Sequence, residues 1–197
     1  GGLIALANHE ADLAGCHLWD EPSQSYNMPY VQRLLPNRRI ALVNLAQRRL
    51  GLILPPGNPN GVQGLHDLLL PGIQFANRQS GSGTRIWLEA RLKDIGINPT
   101  DITSYANEKM THSEVAREVT EGQANIGLGL EAAARSYGLD FILLAREVYD
   151  LIIPAENLPM PAIQALMSWL GEVTSRDLIT GLGGYDASRT GVRTWSE

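Results

Sequence analysis

The run Pro55-Pro56-Gly57-Asn58-Pro59-Asn60-Gly61 is the strongest break in the chain. Prolines remove backbone donors and fix φ, and the glycines and asparagines favour turns, so no helix or strand is expected to pass through it. A lobe boundary is placed there. Upstream, Gly2–His9 reads as the end of a helix and Asp12–His17 as a short strand. Trp19–Pro36 reads as a loop with one helical turn at Pro29–Leu35. The apolar runs Arg39–Leu45 and Leu50–Pro55 read as two separate strands. Gly1-Gly2-Leu3 has the character of the interior of an element.

Beyond the break, helical and strand patterns alternate. Val62–Leu69, Thr84–Ile95, Ser113–Glu121 and Glu131–Tyr137 read as helices. Gln74–Asn77, Ile102–Tyr105, Asn125–Gly129 and Phe141–Leu144 read as strands between and after them. Tyr149–Pro154 is a returning strand, followed by helices at Pro161–Leu170 and Ser175–Leu182 and a turn-like tail. Alternation of this kind predicts an α/β fold of mostly parallel sheets with helices on both faces. The expected division is lobe I at 1–58 and 146–197, with lobe II inserted at 59–145. Two crossings make a two-strand hinge, and a ligand is expected in a cleft between the lobes.

Composition narrows the function. The net charge of −5 gives no global basic field, so DNA contact is expected only through a segment outside this chain. A single cysteine, Cys16, excludes an internal disulfide and reads as buried and inert. No run approaches the roughly 20 apolar residues of a membrane span. His9, His17, His66 and His112 are scattered without metal-ligand spacing, so neither a metal nor another cofactor is expected. A cytoplasmic location and a homodimer complete the expectation.

The run Asn77-Arg78-Gln79-Ser80-Gly81-Ser82-Gly83-Thr84-Arg85 concentrates hydroxyls, glycines and arginines between a strand and a helix. The first N–H groups of a helix lack internal partners and sit at the positive end of its dipole. Gly81 and Gly83 let backbone approach a bound group, Ser80, Ser82 and Thr84 add hydroxyls, and Arg78 and Arg85 add charge. The run suits a small oxyanion or carboxylate; the same residues also suit an ordinary N-cap by Ser82 or Thr84. No lysine completes a P-loop, and Ser80 stands where a nucleophile elbow needs glycine.

Thr111 and His112 open a second helix, where Thr111 or Ser113 can cap; Ser113 with Ala116 makes no capping box. A hydrolase or transferase using Ser82 and His112 is the alternative reading, although no orienting acid follows from the spacing. Gly127-Leu128-Gly129-Leu130-Glu131 opens a third helix. Tyr149 and Asp150 fall at the hinge return, where a tyrosine can either meet an anion or pack.

Together with Ala14-Gly15-Cys16-His17-Leu18, Tyr26-Asn27-Met28-Pro29-Tyr30-Val31 and Tyr149-Asp150-Leu151-Ile152-Ile153-Pro154, these segments resemble the periplasmic-binding-protein-like domain. That domain accompanies helix-turn-helix regulators and molybdopterin-biosynthesis proteins. The resemblance implies the two-lobed type II fold of the substrate-binding domains of LysR-type regulators and of molybdate and tungstate binders. Tungstate binders carry a similar turn ending in Ser-Gly-Thr, matched here by Ser82, Gly83 and Thr84 with Arg78 upstream. The resemblance thus implies a non-enzymatic oxyanion sensor with no catalytic residue. Its ligand set is expected to be Arg78, Ser80, Gly81, Ser82, Gly83, Thr84, Thr111, His112 and Tyr149.

Overall fold

The computed structural model describes residues 1–196. In chain order the elements are α1 (Gly2–Ala7), β1 (Ala14–Cys16), β2 (Trp19–Asp20), β3 (Ser25–Tyr26), α2 (Met28–Leu34) and β4 (Ile40–Leu54). There follow β5 (Phe75–Arg78), α3 (Gly83–Asp94), β6 (Glu108–Lys109), α4 (His112–Thr120), β7 (Ile126–Leu130), α5 (Glu131–Ser136) and β8 (Asp140–Pro154). The chain closes with α6 (Pro161–Leu170), α7 (Val173–Gly181), β9 (Tyr185–Asp186) and β10 (Arg193–Trp195). Two compact units emerge, Gly1–Arg48 with Glu147–Glu197 and Arg49–Arg146. The chain passes between them inside β4 and β8, whereas the Pro/Gly run lies wholly within the second unit.

The fold is α/β, with the chain crossing between units on two strands. Each pair of expected strands on either side of a crossing is one continuous strand of 15 residues. The polar stretch Gln47-Arg48-Arg49 does not interrupt β4, because its charges are answered locally. Gln47 and Arg48 pair with β9, Arg48 is bound by Glu147, and Arg49 by Glu131. The expected strand at Ile102–Tyr105 is a series of turns instead, with Tyr105 N–H donating to Ile102 and Asn107 N–H to Ser104, which sits at φ 61°. Ile102 is buried and Tyr105 stacks on Phe75, so these side chains anchor turns and do not extend a ladder.

In the first unit β1 pairs antiparallel with the end of β8, and β10 and β9 pair antiparallel with β4. Side chains alternate faces along a strand. Ile40, Leu42 and Ile152 accordingly join Leu3, Leu6, Val31 and Cys16 in one core. Ala41, Val43, Leu151 and Ile153 join Ile163 and Leu170 in another. Helical cover on both faces explains why these strands read as unbroken apolar runs. Burial pushes the Cys16 thiol up to about 11, in keeping with an inert cysteine.

In the second unit β7 pairs antiparallel with β4, while β5 runs parallel to both β7 and β6. The sheet is therefore mixed, with parallel pairing confined to β6, β5 and β7. Its core gathers Ile53, Ala76, Val115, Ala116, Val119, Ala124, Ala133 and Ala134. Val115, Ala116 and Val119 form the apolar face anticipated for α4.

The first unit also buries a carboxylate. Glu147, 1% exposed, accepts hydrogen bonds from His17 Nδ1 at 2.8 Å and from Arg48 Nε at 2.8 Å. Burial alone would raise its pKa; the His17 hydrogen bond and the Arg48 charge outweigh that and hold it below the ordinary carboxylate value. Breaking such a group leaves buried charge unpaired, so Glu147→Ala should cost about 3–5 kcal/mol in urea unfolding at neutral pH. The folded carboxyl titrates below its unfolded counterpart. Its contribution is therefore complete above the unfolded pKa and is lost as pH falls through the folded one. The difference between wild type and Glu147→Ala should accordingly shrink on acidification, and a gap that widens would contradict this assignment.

Candidate functional site

Parallel pairing of β6, β5 and β7 brings their C-terminal ends to one edge of the second unit. Helices α3, α4 and α5 start just beyond those ends, so their N-termini gather at that edge. Arg78, Ser80, Gly81, Ser82, Gly83, Thr84, Thr111 and His112 all lie on these connections. Tyr149 lies in the first unit.

The connection from β5 to α3 turns at Gly81, whose φ of 79° is the left-handed region that glycine tolerates. Ser82 caps α3, its Oγ accepting from Arg85 N–H at 3.2 Å, while Ser82 N–H donates to Gln79. Gly83 and Thr84 supply the next two N–H groups; both residues are buried, and neither N–H has an acceptor among the described residues. Thr84 Oγ1 is likewise buried and without a partner among the described residues. Ser80 is exposed, and its N–H donates to Glu108 Oε2 at 3.1 Å.

Arg85 is structural and does not present its charge to the turn. Its Nε donates to Glu89 at 2.8 Å and its Nη1 to the Arg78 carbonyl at 3.2 Å, and its guanidinium lies 4.0 Å from the Tyr105 ring centroid. Burial raises the Tyr105 phenol, against the lowering charge of Arg85. Lys109, at the end of β6, is paired with Glu118 at 2.8 Å. That hydrogen bond, against a smaller effect of burial, holds the Glu118 carboxyl below its ordinary value.

Arg78 ties the two connections together. It is buried and donates to the Lys109 carbonyl at 3.2 Å, the Met110 carbonyl at 2.8 Å and His112 Nε2 at 2.7 Å. Arginine can only donate, so His112 Nε2 is the acceptor there. Ser82 makes no hydrogen bond to His112. The pair is therefore not arranged as nucleophile and base. The start of α4 is closed by a capping box: Thr111 Oγ1 accepts from Glu114 N–H, and Glu114 accepts from the Thr111 and Met110 N–H groups. Testing Ser113 against Ala116 overlooks this box; the Thr-x-x-Glu spacing one step earlier carries it.

In the first unit Tyr149 stacks on His17, with ring centroids 5.5 Å apart, and Arg48 covers the Tyr149 ring at 4.6 Å. A Cβ at Gly15 would collide with Tyr149 Oη, so glycine there admits the hydroxyl against the backbone of β1. His17, Arg48 and Glu147 escape notice in the sequence because they come from three separate segments. Among the described residues no group of His, Cys, Asp and Glu could hold a metal ion, and no helix is long and apolar enough to cross a membrane.

The chain belongs to the PBP superfamily, whose domain model matches residues 1–171. It is 34% identical over 189 residues to the uncharacterized protein YvgK of Bacillus subtilis (strain 168), a match covering 96% of this chain and 61% of YvgK. The chain thus spans less than two thirds of that relative. Its fold resembles a putative phosphate ABC transporter substrate-binding protein with bound phosphate from Clostridium perfringens, at a TM-score of 0.59 and 13% identity. That match covers 94% of this chain and 82% of the other. It equally resembles the substrate-binding domain of a putative molybdenum ABC transporter from Clostridium difficile, at 0.59 and 14%, over 94% and 83% of the two chains. At these identities the likeness is one of fold. The family is one of binding proteins, and no catalytic family is indicated.

Because Ser82 supplies the cap of α3, Ser82→Ala should lower unfolding stability by about 1 kcal/mol. The denaturant midpoint should move and the slope stay constant. An unmoved midpoint would show that the cap contributes nothing.

Proposed function

We propose that this chain binds a small oxyanion of the molybdate or tungstate class, with the start of α3 as its anchor on the second unit. The observation that carries the reading is the set of buried donors without acceptors among the described residues there: Gly83 N–H, Thr84 N–H and Thr84 Oγ1. Buried donors in folded proteins are almost always paired, and a helix N-terminus favours negative charge. Three donors at one helix start suit an oxyanion with several equivalent oxygens. Arg78 and the starts of α3 and α4 add positive potential at the same edge. The likeness in fold to proteins described as phosphate-binding and molybdenum-transporting supports an anion as ligand.

In this reading the domain is the sensor half of a transcriptional regulator or of a molybdenum-cofactor-related protein. It works in the cytoplasm as a homodimer, and DNA contact comes only through a segment outside this chain. Binding, not turnover, is the output: a ligand shifts the domain toward whichever state it prefers. Isothermal titration of the chain with molybdate, tungstate, sulfate and phosphate tests the reading. At least one should bind with a dissociation constant of about 1 μM or below, roughly 8 kcal/mol. No heat from any of the four would overturn it.

A further inference from the structure

We propose that Glu108 sets the affinity of the oxyanion site: its carboxylate occupies a donor of the turn before α3, and its charge weakens the binding of any anion there. This inference rests on the oxyanion reading above. It involves residues of the second unit alone.

The turn already holds an anionic group, one of the chain's own. Ser80 lies in the hydroxyl- and glycine-rich run, and its N–H donates to Glu108 Oε2 at 3.1 Å. Glu108 reaches it from β6, whose parallel register with β5 sets Glu108 beside Asn77 and Lys109 beside Arg78. Ser82 N–H turns back to the Gln79 carbonyl, so it is closed within the turn itself. Ser80 N–H is instead taken by a carboxylate, two residues before the cap. The open donors Gly83 N–H, Thr84 N–H and Thr84 Oγ1 follow in the same short segment. Backbone N–H groups of such a turn suit small oxyanions in general, and a carboxylate is one of them. An incoming sulfate or molybdate therefore competes with Glu108 for Ser80 N–H and meets its negative charge.

Neighbouring cations do not cancel that charge. Arg85 Nη1 lies 3.5 Å from Glu108 Oε1, but Arg85 Nε is hydrogen-bonded to Glu89 at 2.8 Å. One guanidinium thus faces two carboxylates. Lys109, next to Glu108, is paired with Glu118 at 2.8 Å. Along this connection and β6, Arg78, Arg85 and Lys109 are matched by Glu89, Glu108 and Glu118, and the local field that would attract an anion is lost. Without the Glu108 charge one positive charge remains. The Glu108 side chain is 37% exposed, and an ion pair so open to water contributes little to folding. Its larger effect falls on whatever binds at the turn.

Calorimetric titration of wild type, Glu108→Gln and Glu108→Ala with sulfate and with molybdate tests the proposal. Glutamine keeps an acceptor oxygen for Ser80 N–H and removes the charge, so affinity for both anions should rise about tenfold at low salt. In about 1 M sodium chloride, where the screening length is about 3 Å, that gain should shrink to about threefold or less. Alanine also frees Ser80 N–H for the ligand, so its gain at low salt should be at least as large. Binding by wild type that is no weaker than that of Glu108→Gln, or a gain that persists undiminished at high salt, would overturn this inference and leave the oxyanion reading standing. Weaker binding by Glu108→Ala than by wild type would show that Glu108 shapes the turn for its ligand, and would overturn it equally. No heat from any of the three proteins would overturn both.

Discussion

Continuity of β4 and β8 is the constraint on which the rest of the chain depends. Each unit draws strands from both, so an interruption in either would deprive both units of sheet at once. The difficulty is that both strands carry charged residues where they pass from one unit to the other. Glu147 resolves it in the first unit by accepting from Arg48 and His17, and Glu131 meets Arg49 in the second. Asp150 plays a comparable part further along β8, accepting from Asn27 and Asn44 at 2.8 and 3.0 Å. Asn44, Arg48, Glu147 and Asp150 are tolerated in these strands because each hydrogen-bonds within the first unit, as Arg49 pairs within the second.

The start of α3 carries one of the buried side-chain polar atoms that lack a hydrogen-bond partner among the described residues, as Tyr105 Oη does. The two long helices at this edge of the second unit begin differently. At α4 a threonine and a glutamate close the helix reciprocally. At α3 a single serine caps; the first two backbone N–H groups of either helix have no acceptor among the described residues, but at α3 the residues that carry them are buried, and the Thr84 hydroxyl with them. A buried donor without an acceptor costs about 1–3 kcal/mol. Loss of stability at functional positions is the usual exchange between folding and activity.

Much of this was legible in the sequence. The alternation after Gly61, the hydroxyl- and glycine-rich run before α3 and the apolar face of α4 all follow from short-range periodicity and capping chemistry. What escaped depends on residues distant in the chain. Two apolar runs on either side of Gln47-Arg48-Arg49 read as two strands, because the carboxylates that stabilise the intervening charges lie far downstream at Glu131 and Glu147. Arg85 reads as a ligand cation until Glu89 and Tyr105 are seen to hold it. Ile102–Tyr105 has strand composition but spends its apolar side chains on anchoring turns. The mixed sheet could not be foreseen either, since the direction of β4 against β7 is set by the whole path of the chain.

Thr84→Val, measured at once for anion affinity and for unliganded stability, bears most directly on the open start of α3. Valine keeps the branching of threonine and puts a methyl group in place of the buried hydroxyl. If Thr84 Oγ1 is a ligand donor, affinity should fall about tenfold or more, while unliganded stability should hold or rise by about 1 kcal/mol. Unchanged affinity together with lowered stability would mean that the hydroxyl serves the fold, and would contradict the assignment of this helix start to an oxyanion.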